Sequence, residues 1–85
     1  MYITVRSNSA EIAEARLLQS AVSRRLGKAL IWARLGRAIV IFGHKQEDQL
    51  TPGDVQLLNG DKRFVAHEST EEELSRSGLR IPQAS

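Results

Sequence analysis

The stretch Lys28-Ala-Leu-Ile-Trp-Ala-Arg-Leu-Gly-Arg-Ala-Ile-Val-Ile-Phe42 decides the fold of this 85-residue chain. Its apolar content would let a preceding helix run straight through it. Against that stand Gly27 just before the stretch, Gly36 in its middle and the β-branched Ile39, Val40 and Ile41 that follow, which together predict a hairpin turning at Leu35-Gly36. That turn pairs Arg34 with Arg37, Trp32 with Ile39 and Leu30 with Ile41 on one face. It pairs Ala33 with Ala38, Ile31 with Val40 and Ala29 with Phe42 on the other. Neither face alternates with polar residues, so both should be covered: the alanine-rich side by a helix, the Trp32 side by the C-terminal segment or a second subunit. Leu30, Trp32, Ile39 and Ile41 are therefore candidate interface residues, and a homodimer is the expected assembly.

On the N-terminal side, Tyr2-Ile-Thr-Val-Arg6 alternates as a strand does, with Ile3 and Val5 opposite Tyr2, Thr4 and Arg6. Asn8 with Glu11 has the spacing of a capping box and predicts a helix running to about Leu26, stopped by Gly27. Its apolar stripe comprises Ala10, Ala13, Leu17, Leu18, Ala21, Val22 and Leu26. On the C-terminal side, Thr51-Pro-Gly-Asp54 starts a short helix that ends at Asn59-Gly60. A strand over 62–67 follows, with Phe64 and Ala66 on one side, and then a brief helix capped by Thr70 with Glu73 and stopped by Gly78.

The element order is β-α-β-β-α-β, that of a ferredoxin-like split βαβ domain, an α+β class in which a long first helix lies on an antiparallel or mixed sheet. Residues 1–81 form one domain in this reading and 82–85 a frayed tail.

Charge is sorted along the chain. Between Ala15 and Gln46 lie seven basic residues and no acid, whereas from Glu47 onward eight acids face four basic residues, a net −4. Segregation of this kind bears on partners rather than on reaction chemistry. The absence of cysteine removes disulfides, thiolate nucleophiles and Cys-based zinc sites, and accords with the reducing cytoplasm expected here. The longest apolar run, Ala38 to Phe42, is far short of a bilayer span, so no membrane association is expected.

Within the basic segment, Arg16 and Arg24 on the helix and Arg34 and Arg37 at the hairpin tip form a candidate nucleic-acid-binding set, with Tyr2 or Trp32 for stacking. No recognised DNA- or RNA-binding motif accompanies them. In particular, Arg37-Ala-Ile-Val-Ile-Phe-Gly43 lacks the spaced aromatics of an RNA-recognition motif. His44, Glu47 and Asp48 share a polar connector and His67-Glu68 ends a strand, which falls short of the three or four converging ligands that a metal needs. No serine has the context of an activated nucleophile and no glycine-rich phosphate loop is present, so neither metal nor cofactor nor enzymatic activity is expected.

The sequence thus reads as a small non-enzymatic binding module with nucleic acid as the favoured partner. The rival is a protein-binding inhibitor or adaptor, of the kind phages and plasmids encode, acting through the Trp32 hairpin or the acidic segment Glu68 to Glu73. First-turn acids in that segment are already explained by complementarity to the helix dipole.

Overall fold

A computed structural model describes residues 1–79; the tail at 82–85 lies outside the described residues. The strands are β1 (Ile3–Ser7), β2 (Leu30–Leu35), β3 (Ala38–Gly43) and β4 (Phe64–Glu68). The helices are α1 (Ala15–Leu26), α2 (Pro52–Asn59) and α3 (Glu71–Ser77), with single 3-10 turns at Ala10–Ile12 and Gln46–Asp48. The sheet order is β2-β3-β1-β4 and every neighbouring pair is antiparallel. β1 and β2 therefore run the same way with β3 between them, which is the split βαβ arrangement in a small α+β domain. Among the described residues no helix is long and apolar enough to cross a membrane.

The Lys28–Phe42 stretch is the hairpin of β2 and β3, but its turn is Gly36-Arg37, so that Leu35 faces Ala38, Arg34 faces Ile39 and Trp32 faces Ile41. Gly36 takes φ 60, the left-handed value that the first central residue of a type II′ connection requires and that glycine adopts without steric cost. The register is displaced by two residues from the predicted Trp32–Ile39 and Leu30–Ile41 pairs. A two-residue shift leaves every side chain on its predicted face, because strands repeat with period two.

What covers those faces is reversed. Ile3 and Val5 of β1, Ile39 and Ile41 of β3, and Phe64 and Ala66 of β4 share one face, which packs with Leu18 and Val22 of α1 and Leu58 of α2 in a single core. Leu30 and Trp32 pack against the margin of this core. The long helix thus lies on the Trp32 side rather than on the alanine-rich side. Matching the helix's Leu and Val to the large isoleucines removes more apolar area from water than matching them to alanines would. Ile39 and Ile41 are fully buried beneath the chain's own helices, so of the four candidate interface residues these two have no surface to offer a partner. The opposite face carries Thr4, Arg6, Val40, Val65 and His67, and α3 lies across its β2–β3 half. There Val40 and Leu74 are buried.

Helix α1 starts later than its predicted cap. Asn8 is engaged elsewhere: its backbone N–H donates to the Arg63 carbonyl at 2.8 Å and its side-chain amide to that of Lys62 at 3.2 Å, tying the end of β1 to the entry of β4. Ser9 caps the 3-10 turn instead, accepting from the Glu11 amide, and the α-helix begins at Ala15. Losing the first residues narrows the apolar stripe, and Leu17, placed on it by the sequence, is 49% exposed. The other ends fall close to expectation. Gly27 and Gly78 stop α1 and α3 in left-handed conformation, and Asp54 accepts from the Thr51 amide at 2.9 Å to start α2.

The open edge of the hairpin is tied to the start of α2. Lys28 Nζ donates to Asp54 Oδ2 at 2.7 Å and to the Gln49 carbonyl at 2.8 Å, while the Ala29 amide donates to Asp48 Oδ1 at 3.2 Å. Gly43, the last residue of β3, makes this possible, since a Cβ there would overlap the Asp48 carbonyl group. Gly43→Ala is expected to lower stability by about 1–3 kcal/mol, the usual range for overpacking against a backbone that cannot retreat. Urea unfolding measures it, and an unchanged midpoint would show that the Asp48 loop moves freely.

Candidate functional site

The described ion pairs sort the basic residues into those held by acids and those left over. Arg25 and Arg63 both reach Asp61, at 3.6 and 2.9 Å, and Lys28 is held by Asp54. The Arg63 guanidinium also lies 4.9 Å from the centre of the Phe64 ring, which fixes it further. Hydrogen bonds from the Arg63 side chain and backbone are the main reason that Asp61 is held below the usual carboxylate range. Among the described residues Arg6, Arg16, Arg24, Arg34, Arg37 and Arg76 have no carboxylate in ion-pair range.

Four of these belong to one end of the sheet. Arg34 ends on β2 beside the turn, Arg37 is in the turn, and Arg6 stands on β1 opposite Ala38 of β3 and Val65 of β4. With Ile3 and Val5 turned into the core, the alternation of β1 sends Arg6 to the outer face together with Thr4. Arg76 arrives there from the last turn of α3. Arg6, Arg37 and Arg76 line a cleft of about 350 Å³ between α3 and the sheet, along with His67 and Glu73. Arg6 and Arg37 also border a wider concavity with Ser7, Asn8 and Ser9. Arg34 and Arg37 border a third with residues 13–15, at the start of α1. Arg37 is common to all three.

The four sequence-selected arginines are thus divided. Arg34 and Arg37 are together at the hairpin tip, and Arg16 is exposed one residue beyond the start of α1, which abuts that tip. Arg24 is two turns further along the helix, roughly 12 Å away at 1.5 Å per residue, and borders a shallow surface with Arg25 and Arg63. The sequence reading missed Arg6 and Arg76. The outward phase of Arg6 was visible in the β1 alternation, but nothing local relates it to a helix seventy residues later.

Glu73 is the carboxylate of the cleft, and it is already engaged. Its Oε1 and Oε2 each lie 2.9 Å from His67 Nε2, Oε1 accepts from the Thr70 amide at 2.9 Å, and its own amide donates to the Thr70 hydroxyl at 3.2 Å. Burial pushes its pKa upward, but the Thr70 amide, His67 and the Thr4 hydroxyl outweigh that effect and hold it below the ordinary carboxylate value. The acidic segment is therefore structural at Glu73, while Glu68, Glu71 and Glu72 are exposed. The candidate metal-connector residues also have other roles: Asp48 anchors β2, and His67 holds α3 through Glu73. Trp32 packs against the core and Tyr2 lies against Phe42 with ring centres 5.0 Å apart. Comparison with family models, with curated proteins and with solved structures found no match.

A carboxylate with a lowered folded pKa stabilises the fold fully above its ordinary value of 4.5, and that contribution is lost as the pH falls through the lower value. Glu73→Gln is expected to cost about 1 kcal/mol near neutrality through the weakened cap and the lost charge-assisted bond to His67. Because glutamine does not titrate, the gap between variant and wild type should narrow towards about pH 3, as the native carboxylate is protonated. Urea unfolding at both pH values tests this, and an equal gap would contradict the assigned role.

Proposed function

We propose that this chain is a small non-enzymatic binding module that takes nucleic acid on the basic end of its sheet. The observation that carries the reading is the distribution of acids. Arg25, Lys28 and Arg63 are held by Asp61 and Asp54, whereas Arg34 and Arg37 at the hairpin tip, with Arg6 beside them and Arg16 on α1, are exposed with no carboxylate in ion-pair range among the described residues, although Glu14 borders the same concavity as Arg34 and Arg37. Exposed guanidinium groups without partners suit phosphate oxygens, which they contact through planar two-pronged hydrogen bonding. A strand laid around the tip would meet Arg34 on the α1 side of the sheet, Arg37 in the turn and Arg6 on the outer face. Contacts of this kind act on the backbone and carry no base preference.

The reversal of both Arg34 and Arg37 to glutamate should abolish retention on single- and double-stranded oligonucleotides at low ionic strength while leaving the circular-dichroism spectrum unchanged, because both side chains are exposed. For the wild type, the logarithm of affinity should fall with that of salt by about 0.7–0.9 per phosphate contact. Absence of any salt-sensitive retention by the wild type would overturn the reading and leave the basic end as a surface for protein docking.

A further inference from the structure

The hairpin tip accounts for Arg34 and for the outer side of Arg37, but not for the cleft behind it. Three arginines from parts of the chain far apart in sequence, Arg6 on β1, Arg37 in the turn and Arg76 on α3, border one concavity of about 350 Å³. Bringing like charges together in a concave, partly apolar site raises the energy of the empty protein, and no described carboxylate lies within ion-pair distance of the three. Glu73 is bound to His67 and to the Thr70 amide, and so is turned to its own helix cap rather than to the arginines. The lining carries three arginines against the single carboxylate of Glu73.

We infer that this cleft binds a phosphomonoester, the terminal phosphate of a mononucleotide or of a nucleic-acid strand. Two observations favour a terminal phosphate over the phosphodiester of a continuous backbone. Three arginines border a single cleft. One wall is α3, packed across the sheet and anchored by Leu74, which is 5% exposed, so a strand could enter the cleft by an end more readily than pass through it. The remaining lining includes Leu35, Ala38 and Val65, aliphatic groups that exclude water beside the guanidinium groups and give the esterified sugar a surface. Thr4 lines the same cleft, buried, with its hydroxyl paired with that of Ser69 at 2.8 Å. The volume lies at the small end of the usual range for ligand sites, which suits a phosphate with one sugar.

The choice of nucleic acid rests on the function proposed above, whereas the monoester chemistry rests on the cleft alone, and one experiment separates them. Amide and arginine Nε–H resonances of the isotope-labelled full chain are followed during titration with inorganic phosphate, adenosine 5′-monophosphate, and one oligonucleotide carrying either a 5′-phosphate or a 5′-hydroxyl. The expected result is saturable shifts at Thr4, Arg6, Arg37 and Arg76 with the mononucleotide, and about tenfold or greater preference for the phosphorylated strand. Arg76→Gln and, separately, Arg6→Gln should bring that preference close to unity with an unchanged spectrum elsewhere, since both side chains are exposed. If the mononucleotide shifts the cleft and neither strand binds, the monoester site stands and the nucleic-acid reading falls. Equal binding of both strands without cleft shifts from phosphate or the mononucleotide would overturn the inference while sparing the hairpin-tip reading.

Discussion

The central position of β1 is the constraint on which the rest of the molecule depends. Flanked by β3 and β4, it has both edges hydrogen-bonded, and its Ile3 and Val5 are fully buried beneath α1 and α2. An isoleucine and a valine side chain removed from water are together worth several kcal/mol, at about 25 cal/mol per Å² of apolar area, which is a large part of what a domain this small can collect. The same alternation that drives Ile3 and Val5 inward leaves Thr4 and Arg6 no choice but the outer face. A residue placed by the core's demand thus ends beside the hairpin turn. The basic end is a by-product of core formation as much as of surface charge.

The outer face of the sheet mixes Val40 and Val65 with Thr4, Arg6 and His67 and is only partly covered. The opposite face is covered by α1 and α2, whereas among the described residues the outer layer amounts to the seven residues of α3. So short a helix would not persist in isolation, since nucleating a helical turn is unfavourable. It is held by Leu74 against the sheet, by the Thr70–Glu73 cap and by His67 reaching Glu73 from β4. Ile31 and Val65, at 36% and 39% exposed, mark where this partial cover runs out. The cleft is the space beside this short helix, between α3 and the sheet.

How much of this was legible in the sequence differed by the range of the interaction involved. Features carried by neighbouring residues were readable: the Thr70–Glu73 and Thr51–Asp54 starts, the Gly27 and Gly78 stops, the hairpin itself and the facing of Phe64 and Ala66. The β-α-β-β-α-β order, and with it the fold class, followed from these. Features settled by distant partners were not readable. Asn8 has the spacing of a cap, yet the carbonyls of Lys62 and Arg63 claim it, and they are more than fifty residues away. The side on which α1 packs was misjudged for a similar reason. Small side chains on the hairpin permit close approach, but area removed from water decides, and that area could be summed only once β1 and β4 were known to share the Trp32 face.

The candidate site divides along the same line. Sequence could identify Arg34 and Arg37, because a turn between two apolar strands must be exposed. It could not tell that Arg25 and Lys28, of the same basic run, would be neutralised by Asp61 and Asp54 from the acidic half of the chain. The charge segregation that looks like a dipole in one dimension is therefore partly cancelled in three. What survives cancellation is the group of arginines around the hairpin turn that no described carboxylate pairs with, and that remainder, rather than the count of basic residues, is what a phosphate would meet.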